Sequence, residues 1–123
     1  MPVLRSRVLC VLAGAVLQVA CGGSSTDGPS LLVATTLDRV QCQPQSGRRV
    51  STVTELLSAN GIAAVLQGCT IDGNLYGSAC GNGTGALVVY EIGTHKLTAA
   101  QALGFAPTSA WPRIRPVSQC PAE

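Results

Sequence analysis

Past its first thirty residues, the chain alternates short apolar bursts with polar, glycine-rich intervals. Leu31 to Val40 (LLVATTLDRV) opens on four apolar residues and carries two threonines, which suits a strand entering a core. Val53, Leu56 and Leu57 then recur at i, i+3 and i+4, the spacing of one helix face. Thr52 and Glu55 stand at capping-box spacing before them, and Asn60-Gly61 supplies a left-handed stop. Ile62 to Leu66 reads as a fully buried strand. This strand, helix, strand order is long enough to permit a parallel crossover without requiring one.

Glycines are dense between Gly68 and Gly85, and Asp72-Gly73 and Asn82-Gly83 suit tight turns. Ala86 to Ile92 (ALVVYEI) is the clearest strand, joined to the preceding one as a hairpin. Thr98 and Gln101 again have capping-box spacing, with Gly104 ending the helix and Phe105 placed to pack back on its last turn. Trp111 to Pro116 alternates, putting Arg113 and Arg115 on one face and Ile114 on the other; its prolines and arginines suit an edge strand. The pattern predicts one small α/β or α+β domain over residues 31–123, with a short three- or four-stranded sheet, two short helices and two disulfides.

The N-terminal segment has a different organisation. Arg5 and Arg7 precede an uncharged apolar run, Val8 to Leu17, too short for a membrane span of roughly 20 residues but within the 7 to 15 of a signal-peptide core. Residues 1–20 are therefore expected to be an export signal. Gly22 to Ser30 has no large apolar residue, so residues 21–30 are expected to be a flexible tether, its root-mean-square reach roughly 15–18 Å. The junction Leu17-Gln18-Val19-Ala20-Cys21, followed by Gly22-Gly23-Ser24-Ser25, resembles the lipobox of bacterial lipoproteins, although Gln18 occupies the place where that family prefers leucine.

That resemblance implies cleavage before Cys21, diacylglycerol on its thiol, an acylated new amino group (palmitate being a typical acyl chain) and retention on a membrane. Gly22 in place of the aspartate that favours inner-membrane retention implies the outer membrane, facing the periplasm. Signal cleavage without lipidation gives the alternative, a soluble periplasmic or secreted protein.

Loss of the signal removes two of the eight basic residues and leaves six against six acidic ones, so the net charge of +2 disappears. A near-neutral domain cannot draw on counterion release for nucleic-acid binding. One Trp, two Tyr and one Phe are too few for base- or sugar-stacking platforms. With Cys10 lost and Cys21 lipidated, Cys42, Cys69, Cys80 and Cys120 remain, an even set that an oxidising compartment is expected to pair. A hairpin mouth favours Cys69 with Cys80, leaving Cys42 for Cys120, among three open connectivities. Zinc-type C-x2-C pairs are missing and His95 is the single histidine, so no metal or cofactor is expected.

Candidate chemistry is sparse. Gly77-Ser78-Ala79-Cys80-Gly81 is no nucleophile elbow, and Gly81 to Gly85 precedes a strand and lacks the lysine of a phosphate loop. No catalytic residue is assigned. The leading expectation is a non-catalytic, lipid-anchored envelope accessory or binding module, with an inhibitor of an exported hydrolase as a specific form. It would present the disulfide-framed Cys69–Gly85 loop to a protein, such as an envelope protein partner, or to a small ligand, with Leu75, Tyr76, Trp111, Arg113 and Arg115 as binding candidates. The alternative is a small periplasmic enzyme or enzyme subunit, which requires His95 to meet Asp72 or Glu91 at hydrogen-bond distance.

Overall fold

The structure, a computed structural model, describes residues 28–123. The export signal, Cys21 and most of the expected tether lie outside the described residues. Within them the chain runs β1 (Ser30–Thr36), α1 (Val50–Ala59), β2 (Ala64–Ile71), β3 (Ala86–Gly93), a 3-10 turn Thr94–Lys96, α2 (Leu97–Ala102), β4 (Ala106–Pro107) and a 3-10 turn Thr108–Ala110. The sheet order is β2-β3-β1-β4, and every neighbouring pair is antiparallel. This is the small α+β domain expected, with a four-stranded sheet, two helices and two disulfides. β1 and β2 run parallel to each other with β3 between them, so the crossover through α1 skips a strand, as in a split βαβ unit.

The central place of β3 explains its near-continuous apolar sequence. Side chains alternate between faces along a strand, and here both faces are covered. Val88, Tyr90 and Ile92 join Val33 of β1 on the front, where they meet Val50, Val53 and Leu57 of α1, Ala100 of α2, and Phe105. Leu87 and Val89 lie on the back with Ala34, under Trp111 and Ile114. Those two belong to a C-terminal strap that crosses the back of the sheet and reaches the free edge of β2. There Arg115 N–H donates to Ile71 O (3.1 Å), and Cys69 and Ser118 exchange backbone hydrogen bonds of 2.8 and 2.9 Å.

Several local expectations change. β1 stops at Thr36, where Thr36 Oγ1–H donates to Asp38 Oδ1 (2.7 Å) and Asp38 turns the chain with φ 53°. α1 begins at Val50, before the expected cap, so Thr52 and Glu55 lie inside the helix and Arg49 gives no side-chain cap. The exposed donors are met from far away: Glu123 Oε1 accepts from Ser51 N–H (2.9 Å) and Oε2 from its hydroxyl (3.1 Å). Asn60-Gly61 does end the helix, with Gly61 at φ +72° and Ile62 N–H returning to Leu57 O (3.0 Å).

β2 starts at Ala64 and continues to Ile71 rather than ending at Leu66. As an edge strand it leaves Val65 and Leu66 half exposed, and its register slips between Leu66 and Gly68, a bulge at Gln67. α2 starts at Leu97, which places Thr98 inside it without a capping role, whereas Gly104 and a buried Phe105 close it as expected. Phe105 then meets the Tyr90 ring edge-on, with centroids 6.1 Å apart.

The disulfides are Cys42–Cys80 and Cys69–Cys120, with Cα separations of 5.1 and 4.7 Å, in place of the expected Cys69–Cys80 and Cys42–Cys120. The hairpin argument fails because β2 runs past Cys69 to Ile71, which moves the hairpin mouth away from that cysteine. Pairing of Cys69 with Ser118 brings Cys120 alongside it instead.

Candidate binding end of the sheet

β1 and β2 end, and β3 begins, at the same end of the sheet, so the connections 37–49 and 72–85 emerge side by side. They interlock. Gln41 N–H donates to Asn82 O (2.8 Å), and its side-chain amide donates to Gly77 O (2.9 Å) and Gly83 O (3.2 Å). Thr84 N–H donates to Arg39 O (3.1 Å), and Cys42–Cys80 closes the assembly covalently. The glycine-rich loop is thus stapled to the preceding loop and not closed on itself.

Asp72 organises the start of the 72–85 loop. It is buried, its backbone N–H donates to Gly85 O (2.9 Å), and its carboxylate accepts from Asn74 N–H (2.9 Å) and the Tyr76 hydroxyl. The hydrogen bond to Asp72 holds the Tyr76 phenol above its usual pKa, since ionisation would surrender that bond and set two negative charges together. Gly73 sits at φ +80°, where a Cβ would come within 1.9 Å of Arg113 O, so the strap locks directly against the loop. Beyond this fixed base Leu75 is 97% exposed and Tyr76 41% exposed.

The structure therefore brings Leu75, Tyr76, Arg113 and Arg115 to one end. Trp111 is used otherwise. Ile114 N–H donates to Trp111 O (3.0 Å), a turn that lets Trp111 and Ile114 both cover the back face; the expected edge strand, alternating Ile114 against the two arginines, gives way to this packing. Arg39 also lies at this end, half-buried and with Nη1 donating to Pro44 O (3.5 Å).

The residues of the enzymatic alternative are not assembled. Asp72 follows β2 beside Gly85 at the loop end, whereas His95 follows β3 at the other, separated by roughly 25 Å at the usual rise per strand residue. His95 is exposed, its ring lying over Gly93. Glu91 accepts from Ser30 Oγ–H (3.0 Å), and among the described residues no hydrogen bond links it to His95.

No protein-family model matches the chain, and neither the curated proteins nor the solved structures contain a match to it.

Proposed function

We propose that the protein is a non-catalytic envelope accessory module, tethered through Cys21, that presents the stapled loop end to a protein partner. Inhibition of an exported hydrolase is a specific form of that role. One observation carries the reading: Leu75, nearly fully exposed, stands on a loop fixed at its base by Asp72 and beyond its tip by Cys80–Cys42. A large apolar side chain on a preorganised loop binds with little ordering cost.

The polarity of the sheet supports the same role. The chain enters at the opposite end, where Thr94 N–H donates to Pro29 O (3.0 Å), so a tether arriving there directs the loops away from the membrane. The test is capture of envelope proteins by the intact lipidated chain. Leu75→Asp is expected to weaken capture by about tenfold or more, since burying a leucine contributes about 1.5–3 kcal/mol. His95→Ala is expected to leave it unchanged, and Cys21→Ser to release the protein from membranes. Capture that survives Leu75→Asp refutes the loop reading. Lost function in a folded His95→Ala protein moves the assignment to a small periplasmic enzyme.

A further inference from the structure

On the front face, the loop end of the sheet holds a second feature independent of Leu75 and of the lipid anchor. A hollow of about 360 Å³ opens between the sheet and the end of the strap. Its floor is apolar: Leu37 follows β1, Ile71 ends β2, Ala86 begins β3, and Pro121 closes it from the strap. Ile71 remains 40% exposed there, so apolar surface faces the opening. Arg39 and Arg115 line the same space, and among the described residues no carboxylate does.

Both cations hang from a fixed backbone. Arg115 is clamped on two sides, its N–H donating to Ile71 O (3.1 Å) and its carbonyl accepting from Thr70 Oγ1–H (2.7 Å). Arg39 O accepts from Thr84 N–H (3.1 Å) and from the Thr84 hydroxyl (3.3 Å). Neither guanidinium forms an ion pair among the described residues; the ion pair found there joins Arg48 to Asp38 (3.6 Å). An apolar cavity of a few hundred Å³ with a small number of convergent polar groups is the usual form of a small-molecule site. Two guanidinium groups without a counter-charge specify the polar end of the occupant, because their planar donors match a carboxylate.

We propose that this hollow binds a small amphiphilic carboxylate, its apolar body over Leu37, Ile71 and Ala86 and its carboxylate between Arg39 and Arg115. Charge complementarity separates this occupant from a neutral apolar one, which would leave both cations without a counter-charge and Arg39 with only its Nη1 hydrogen bond to Pro44 O (3.5 Å). A doubly charged, strongly hydrated anion without an apolar body would leave the exposed floor uncovered. The contact at half-buried Arg39 is screened less by salt than that at exposed Arg115, so salt weakens the Arg115 contribution first.

The test uses the oxidised protein carrying Cys21→Ser, so that no acyl chain of its own competes, with octanoate and octan-1-ol as probes. Calorimetry is expected to give one octanoate site, at least tenfold tighter than octan-1-ol, and NMR a shift of the Arg39 and Arg115 Nε signals on addition of octanoate. Arg39→Met and Arg115→Met keep an apolar stem and remove the charge; each is expected to weaken octanoate about tenfold and leave octan-1-ol unchanged. Equal affinity of wild-type protein for the two probes overturns the proposal even if a variant fails to fold. So does octanoate binding that neither substitution alters, or no saturable octanoate binding up to about 10 mM.

Discussion

The hydroxyl of Tyr90 tests how the front core is built, because it is a polar group inside an apolar layer with one good partner. The ring is fully buried, and its oxygen lies 2.7 Å from Thr54 Oγ1 and 3.4 Å from Val50 O. Thr54 already donates its own proton to Val50 O (2.9 Å), which leaves Tyr90 as the donor to Thr54. Tyr90→Phe removes that donor and strands no other group, at an expected cost of about 1 kcal/mol. Thr54→Val removes the acceptor and leaves a buried phenol facing only a long contact, so it costs more, about 2 kcal/mol; the two residues have similar helix propensity.

The double variant has no unpaired hydroxyl and is expected near the Tyr90→Phe value, so the two effects are non-additive by about 2 kcal/mol. Urea unfolding of the oxidised protein with unchanged denaturant slope measures all three. Thr54→Val costing less than Tyr90→Phe, or simple additivity, refutes the hydrogen-bond assignment. Burial also raises the Tyr90 pKa above the ordinary 10.0. The unfolded chain then loses its proton first as pH rises through 10, so stability present below pH 10 declines above it. Tyr90→Phe is expected to reduce that decline.

Three further outcomes follow from the loops and strap. Peptide mapping of the unreduced protein is expected to join Cys42 to Cys80 and Cys69 to Cys120, and separations of 38 and 51 residues put the loss on opening either bridge near 4 kcal/mol in a loop-closure calculation, read by denaturation. Glu123→Gln weakens a charge-assisted cap on α1 and is expected to cost about 0.5–1 kcal/mol, checked by chemical unfolding with helix content followed by circular dichroism. Gly73→Ala meets Arg113 O from a left-handed backbone and is expected to cost about 2 kcal/mol or more, with amide exchange rising first in the 72–85 loop and the strap.

The sequence made the central strand, the helix stops and the oxidised cysteines legible because each rests on local chemistry. Ala86 to Ile92 is continuous enough to be buried on two faces, while Asn60-Gly61 and Gly104-Phe105 end helices through contacts within a turn. Helix starts were less accessible, since α1 takes its cap from Glu123 at the far end of the chain, and no local pattern announces that. Cysteine pairing was hidden for the same reason: a bridge depends on where the strap docks, which Ser118 opposite Cys69 decides. Leu75, Tyr76, Arg113 and Arg115 could be picked out by exposure-prone context, but Arg39 could not, because only the loop interlock places it beside Arg115.

The crowding of one end follows from connectivity. At the end where the chain enters β1, α1 returns to β2 through residues 60–63 and β3 passes into α2 through the turn Thr94–Lys96, both too short to build a surface. At the other end, a crossover that skips a strand and a wide hairpin both supply long connections, and the strap must pass there to reach the β2 edge. Long loops are entropically costly unless held, and here Cys42–Cys80 holds one pair while Cys69–Cys120 holds the strap. Both bridges therefore support the end that carries Leu75 and the Arg39–Arg115 hollow, while among the described residues the opposite end, with exposed His95, has no bridge. A fold that needed its disulfides only for the core would not require Cys42–Cys80: both of its cysteines are exposed, and the bridge joins loop to loop. Its placement adds the ordering of this end's surface to the stabilisation of the whole fold that closing 38 residues supplies.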